Sequence, residues 1–145
     1  MLKILFVCHG NICRSPMAEF VMKGMVKKAG LSGQVYIESA AASREEIGSP
    51  VYPPARRELA RHGISCDGKT ARQITEADLL KFDRIYYMDA FNQRRLGRMF
   101  PDYDRFLPFL DREVADPYYS GDFTQTWEDI VEGCNRILEE IKCSI

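Results

Sequence analysis

The sequence predicts an α/β fold: a small, doubly wound, four-stranded parallel sheet with helices on both faces. Three observations predict it. Short apolar runs alternate along the chain with longer stretches of helical periodicity, the pattern of strands joined by helical crossovers. The first run, LKILFVC at residues 2–8, is apolar almost throughout, as a strand buried on both faces must be. The chain has 145 residues, enough for one substantial core, so a single domain over residues 1–145 is expected.

The elements follow in order. Residues 2–8 form the first strand. Ser15-Pro16 opens a helix, with serine suited to the N-cap and proline to the first turn. Ala18, Val21, Met22, Met25 and Ala29 are its apolar stripe, and Lys27, Lys28 and Gly30 mark its end. Residues 35–40 alternate weakly and read as a second strand. The proline-rich GSPVYPPA delays the next helix to residues 55–62, and Gly63 stops it. Thr75-Glu76-Ala77-Asp78 resembles a capping box, so a short helix begins there. Residues 84–88 are a third strand, followed by a helix over residues 91–99. Residues 106–110 are a short fourth strand. Asp122 and Gln125 can cap a last helix, which carries Trp127, Ile130, Val131, Cys134, Leu138 and Ile141 at 3-and-4 spacing. Trp127 on that stripe reads as core. Four parallel strands in a chain this small suggest a flavodoxin-like sheet, whose ligands bind at the carboxyl ends of strands beside the topological switch point. The first strand delivers Cys8 to such an end.

Composition narrows the function classes. The net charge of −1 gives no general attraction to nucleic acid or to an anionic membrane, so neither is expected as a partner. Arg56, Arg57 and Arg61, and Arg94, Arg95 and Arg98, cluster on two helices and read as solvated faces. MLKILFVC is too short for a signal-peptide core, and no run reaches membrane-spanning length, so a cytoplasmic location is expected. Five cysteines, an odd number, read as free thiols rather than a disulfide framework. The chain holds neither a G-x-x-x-x-G-K-[ST] nor a G-x-G-x-x-G motif, and its two histidines, His9 and His62, sit in no acid–histidine cluster with metal spacing. No cofactor and no metal are expected.

The chemistry concentrates in VCHGNICRSP, residues 7–16. Cys8 and Arg14 are separated by five residues, His9, Gly10, Asn11, Ile12 and Cys13, and Ser15 follows. A loop of that length between strand and helix can curl so that its backbone N–H groups converge as a nest above the positive helix end. Gly10 and Asn11 are residue types that tolerate left-handed backbone angles. Arg14 can present two parallel donors to an oxyanion. The expected product is a cradle for a tetrahedral dianion such as phosphate. The same field favours the thiolate of Cys8 over the thiol, and a thiolate facing a bound phosphate is an in-line nucleophile. Ser15 can donate to that sulfur. The bland alternative is that Cys8 is a small buried hydrophobe, which leaves Asn11 and Arg14 as unexplained polar residues at the junction.

FVCHGNICRSPMAE resembles the signature of the low-molecular-weight protein tyrosine phosphatases. IESAA, HGI, ARQIT, YYMD and DPYY all fall in that family's order, so the resemblance runs from residue 4 into the last helix. It implies the phosphatase I type of the flavodoxin-like fold. The activity implied is hydrolysis of aryl phosphate monoesters, chiefly phosphotyrosine in a protein or a small aryl phosphate, through a phosphocysteine intermediate and without a metal. Carried over residue by residue, Cys8 is the nucleophile, Arg14 binds phosphate and stabilises the transition state, and Ser15 assists the thiolate. Asn11 holds the loop with Ser39 as its partner, and Asp116 of DPYY is the general acid. The residues agree about Asp116: the leaving oxygen needs a proton, no histidine is an obvious donor, and Pro117 stiffens the aspartate's backbone.

The resemblance further implies that Tyr118 walls the substrate cleft and that Tyr118 and Tyr119 are phosphorylation sites in some relatives. In relatives the pair equivalent to Cys8 and Cys13 forms a reversible disulfide that protects the nucleophile; here Cys13 is either that guard or simply packed. Some positions depart from the family pattern. His9 stands where an aliphatic residue is usual, and Glu45 of SREEIG stands where relatives often carry an aromatic wall. DGKTARQ lacks the histidine that braces the loop in relatives, which leaves His62 as the nearby candidate. A thiol-linked arsenate reductase shares the loop but needs a relay of cysteines in mid-chain, where only Cys66 lies. A phosphocysteine carrier shares the nucleophile but needs no general acid. A monomer is the simplest assembly, with a weak dimer left open, and the physiological substrate is not legible.

Overall fold

The computed structural model describes residues 1–144. In chain order the elements are β1 (Leu2–Cys8), α1 (Arg14–Lys28), β2 (Val35–Ala41), α2 (Pro53–Arg61), α3 (Glu76–Lys81), β3 (Arg84–Tyr87), α4 (Ala90–Met99), β4 (Phe106–Pro108), α5 (Pro117–Ser120) and α6 (Phe123–Ser144). The strands form one sheet in the order β2-β1-β3-β4, and every pairing is parallel. Strand β1 is central. It pairs with β2 from Leu2 opposite Val35 to Cys8 opposite Ala41, and with β3 from Ile4 opposite Arg84 to Val7 opposite Tyr87. The chain goes one way from β1 to β2 and the other way to β3 and β4. The switch point therefore lies at the carboxyl ends of β1 and β3, the place where such sheets open a crevice.

The side chains of β1 divide between two cores, which is the physical meaning of its unbroken apolar run. Ile4, Phe6 and Cys8 join α1, α2 and α6 residues such as Met17, Leu59 and Ile130 on one face. Leu5 and Val7 join Ile85, Phe82 and Leu96 on the other. Residues Ile4 to Val7 are wholly buried, and each large apolar side chain so buried contributes about 1.5–3 kcal/mol. The sheet thus has helices on both faces, as expected. Helix α6 lies close over Phe109: a Cβ on Gly133 would overlap the Phe109 ring. That close approach explains a glycine inside a helix, where it costs about 1 kcal/mol relative to alanine.

Several boundaries differ from the sequence-based expectations. Helix α1 starts at Arg14, with Cys13 at the N-cap position and no side-chain cap. Ser15 is therefore inside the first turn, and its hydroxyl turns to Cys8 instead of capping. Helix α2 starts at Pro53, two residues before Ala55, because prolines are accommodated in a helical first turn. Strand β4 ends at Pro108, since Phe109 and Leu110 turn into the core. Thr75 does begin α3, with its backbone N–H donating to the Asp78 carboxylate at 2.8 Å. Asp122 caps α6 by accepting from the Gln125 N–H at 2.9 Å. Trp127 is only half-buried; its ring stacks on His62 with centroids 3.6 Å apart. Among the arginines read as solvated, Arg95 is the exception, because its Nε donates to the Ala42 carbonyl at 2.9 Å. Among the described residues, no helix is long and apolar enough to cross a membrane.

Candidate active site

The loop between β1 and α1 curls at the switch point. Asn11 has a φ of 59° and is the one non-glycine residue with positive φ among the described residues. Asparagine tolerates this left-handed conformation better than most residues. Gly10 does not adopt it. A Cβ there would make only ordinary contact with the Glu46 side chain, at 3.4 Å. The strained loop is held from beneath. One Asn11 Nδ2 hydrogen goes to Ser15 Oγ at 2.7 Å and the other to Ser39 Oγ at 2.9 Å. Asn11 Oδ1 accepts from the Arg72 backbone N–H at 3.3 Å. Asn11, Ser15 and Ser39 are all buried, so these bonds form away from competing water.

Cys8 ends β1 with only 3 % of its surface exposed, at the floor of a cleft of about 200 Å³. Its Sγ is 3.1 Å from Ser15 Oγ and accepts from the Ser15 backbone N–H at 3.4 Å. The sulfur therefore sits against the first turn of α1, where unpaired amides favour negative charge.

Arg14 is almost entirely buried. Its Nη1 donates to Asp89 Oδ2 at 2.6 Å and to the Val114 carbonyl at 2.9 Å, and its Nη2 reaches Asp116 Oδ2 at 3.3 Å. Burial alone would pull this guanidinium down; Cys8, Asp116 and Asp89 outweigh it and hold the group above its ordinary value. The cation is fixed in position and permanently charged. Asp116 lies at the N-cap of α5, with Oδ1 accepting from the Tyr118 N–H at 3.0 Å. Its backbone is extended, as a residue before proline requires.

The rim carries the residues that depart from the family pattern. His9 Nε2 and Glu45 Oε2 are 2.9 Å apart, and the His9 ring meets Phe91 edge to face at 5.8 Å. Glu46 and Tyr119 join Glu45 and Tyr118 along the cleft. Tyr118 is half-exposed and leans on Tyr52, with ring centroids 5.2 Å apart. Cys13 also lines the cleft. Burial, then the neighbouring Cys8 and Asp116, push its thiol up far above the ordinary range.

All the sequence-derived site residues meet in this one region: Cys8 to Ser15 on the loop, Ser39 beneath it, and Glu45, Asp116 and Tyr118 at the rim. His62 does not join them, since it is engaged with Trp127 and with Glu58 at 3.1 Å. Lys69 approaches the loop's support instead, its Nζ donating to the Ser39 carbonyl at 2.9 Å. Sequence reasoning missed Asp89, Glu46, Glu19 and Lys69. Asp89 was findable, because it closes YYMD at the carboxyl end of a strand beside the switch point.

The fold and the loop together define a class: an α/β protein with a cysteine set in an oxyanion-binding loop between strand and helix. Within that class the comparisons are specific. The model of the family "low molecular weight phosphotyrosine protein phosphatase" matches residues 3–144. The low molecular weight protein-tyrosine-phosphatase YfkJ of Bacillus subtilis is 40% identical over 98% of this chain and 97% of its own length. Its crystal structure superposes with a TM-score of 0.94, covering 99% of this chain and 96% of that one. A low molecular weight protein tyrosine phosphatase from Streptococcus pyogenes gives a TM-score of 0.91 at 40% identity, over 97% of this chain and 93% of that one. The human low molecular weight phosphotyrosine protein phosphatase is 37% identical over 94% of each chain. The chain belongs to the low-molecular-weight phosphotyrosine protein phosphatase family.

Proposed function

We propose that this protein hydrolyses phosphotyrosine, and aryl phosphate monoesters generally, by a metal-independent route through a phosphocysteine. The observation that carries the reading is the convergence on one cleft of a recessed sulfur, a buried cation and a carboxylate. Ser15 Oγ is 3.1 Å from Cys8 Sγ, and Asp116 is 3.3 Å from Arg14. The loop amides and Arg14 bind the three non-bridging phosphate oxygens. The Cys8 thiolate attacks phosphorus in line, forming the S–P bond as the P–O bond to the phenol breaks. Asp116 gives its proton to the departing oxygen. It then takes a proton from the water that attacks the phosphocysteine, releasing phosphate and restoring the thiolate. Ser15 donates to the sulfur as it leaves.

The depth of the nucleophile favours aryl esters. Cys8, a residue only 3 % exposed, lies within reach of a phosphate carried on a phenol ring, whereas the backbone of a phosphoserine peptide meets the rim first. Tyr118 and His9 flank the ring, and Asn11 and Ser39 keep the loop in shape. A positioned acid argues against a carrier that never turns over.

An assay in excess chelator tests this reading. The expected result is undiminished hydrolysis of phosphotyrosine peptide and little of phosphoserine peptide. Asp116→Ala is expected to lower kcat by about 10²–10⁴-fold for a basic phenol leaving group. The loss should shrink for an acidic nitrophenol, which leaves without a proton. Equal losses across esters would remove Asp116 as the acid.

Cys13 is proposed as the guard of Cys8. Peroxide oxidises the Cys8 thiolate to a sulfenic acid, and the Cys13 thiol then displaces water to form a disulfide. The Cys8 charge is one cause of the raised Cys13 thiol, and that charge vanishes on oxidation, so Cys13 becomes easier to ionise when it is needed. Mild peroxide should yield a Cys8–Cys13 linked peptide by mass spectrometry. Sulfonic acid at Cys8 without the link would reject the guard.

A further inference from the structure

The cleft is charged in two tiers. Its floor holds the β1–α1 loop and the buried Arg14, and its rim carries the carboxylates of Glu45, Glu46 and Asp116. Asp116 is already paired with Arg14, at 3.3 Å. Glu46 is half-buried, and its Oε2 accepts the Ser49 hydroxyl at 2.9 Å. Glu45 is different. Its side chain is 70% exposed, and its Oε2 meets only the His9 ring, at 2.9 Å. Among the described residues no lysine or arginine pairs with it.

The turn that carries Glu45 is fixed to the loop. The Ser43 backbone N–H and the Ser43 hydroxyl both donate to the His9 carbonyl, at 3.0 and 2.9 Å. The Glu45 N–H reaches back to Ser43 Oγ at 3.4 Å. Glu45 in turn aims the His9 ring. A carboxylate only accepts, so His9 Nε2 donates the hydrogen between them. His9 Nδ1 is buried and has no partner among the described residues, which leaves Glu45 as the ring's sole polar contact. The ring's aromatic neighbour is Phe91 in the first turn of α4, met edge to face with centroids 5.8 Å apart. Phe91 is 52% exposed.

An unpaired carboxylate and an exposed aromatic face, both held against one imidazole, fit a particular guest. It is the side chain of lysine or arginine, whose aliphatic stem packs on an aromatic ring while its cation meets a carboxylate. Arg94 already uses Phe91 in this way, with its guanidinium 5.9 Å from the ring centroid, and the ring is still half-exposed.

We propose that His9, Glu45 and Phe91 form a subsite for a lysine or arginine beside the phosphotyrosine, which makes basic phosphopeptides the preferred substrates. The inference deepens the reading of the cleft as a phosphotyrosine site and rests on it. The floor takes the phosphate, and the residues that flank the phosphotyrosine pass the rim. The two tiers therefore read different parts of the substrate. A flanking glutamate or aspartate meets Glu45 and Glu46 as like charges, so the same rim discriminates against acidic peptides.

The test compares kcat/KM for two phosphotyrosine peptides that differ only in the residues on either side of the phosphotyrosine, lysine in one and glutamate in the other. The wild type should prefer the lysine peptide by about three- to tenfold, the size that an exposed ion pair and a cation–π contact deliver together. Glu45→Gln, which can still accept from His9, should bring the ratio close to one, and Glu45→Lys should invert it. Phe91→Ala should lower kcat/KM for the lysine peptide alone. Both side chains are exposed, so these variants keep the fold. Molar salt, in which the Debye length falls to about 3 Å, should shrink the wild-type preference. Equal kcat/KM for the two peptides in the wild type overturns the proposal. So does a loss by the same factor for both peptides in Glu45→Gln or Phe91→Ala, which is what a merely structural rim would give. Calorimetry of the same peptides on Cys8→Ser should give affinities in the same order. That binding reads the subsite without turnover, so a failure of the phosphatase reading and a failure of the subsite remain distinguishable.

Discussion

Cys8→Ser is expected to abolish phosphate release, lowering kcat by more than about 10⁴-fold. The change is one atom at a buried position, so the loop, its Asn11 support and Arg14 keep their arrangement. What is lost is the anionic sulfur. A serine hydroxyl is a far weaker acid than a thiol, and the field of the helix end and Arg14 is too small to ionise it. No other group on the cleft floor can replace it: Cys13 is held as a thiol by its burial and by its neighbours. The binding of inorganic phosphate or vanadate should persist, because the amides and Arg14 remain. Calorimetry on the variant reads that binding directly. Turnover near the wild-type rate would contradict Cys8 as the nucleophile.

Arg14→Lys is expected to lower kcat/KM by about 10²–10⁴-fold, although the positive charge is kept. Lysine is a point charge on a flexible stem and cannot present paired donors to two phosphate oxygens. The geometry around Arg14 sharpens the expectation. One nitrogen is tied to Asp89 and to the Val114 carbonyl while the other faces Asp116. A lysine ammonium cannot satisfy all three partners, so Asp89, which is largely buried, loses its fixed countercharge. A drop in melting temperature should therefore accompany the loss of rate, and Asp89→Asn should lower activity in the same direction by loosening Arg14. If Arg14→Lys retained kcat/KM within about tenfold of wild type, the loop amides alone would be carrying the phosphate.

The sheet and the geometry of the β1–α1 loop are legible for the same reason: both depend on local pattern. An apolar run, a five-residue loop and a Ser-Pro helix start lie together in the chain, so strand, cradle and helix can be read in one window. Asp116 is singled out only by the family resemblance, because nothing local separates an Asp-Pro that faces a cleft from one in a plain turn. Lys69 and Glu19 were illegible. They lie 50 residues apart in sequence and meet only when the segment before α3 folds under the β1–α1 loop. A lysine in DGKTARQ looks solvated until its burial is seen. His62 failed the other way: it was the near candidate for bracing the loop, but the flat face of Trp127 claims its ring. Serine is favoured at the N-cap, which points to Ser15, yet the sulfur of Cys8 competes for its hydroxyl and the helix begins two residues sooner, with Cys13 at the N-cap position. Glu45 and His9 depart from the family pattern in the sequence itself, but that they pair with each other is a fact of the fold.

The central claim is that turnover passes through a covalent bond between Cys8 and phosphate. Rapid acid quench of the wild-type enzyme during turnover of an aryl phosphate, followed by peptide mass spectrometry, measures it directly. The account predicts one phosphate on the peptide that contains Cys8, localised to its sulfur, and accumulating in Asp116→Ala with an acidic leaving group, where the attacking water has lost its base. Phosphate on another residue, or steady turnover with no phosphopeptide formed at any quench time, would contradict it.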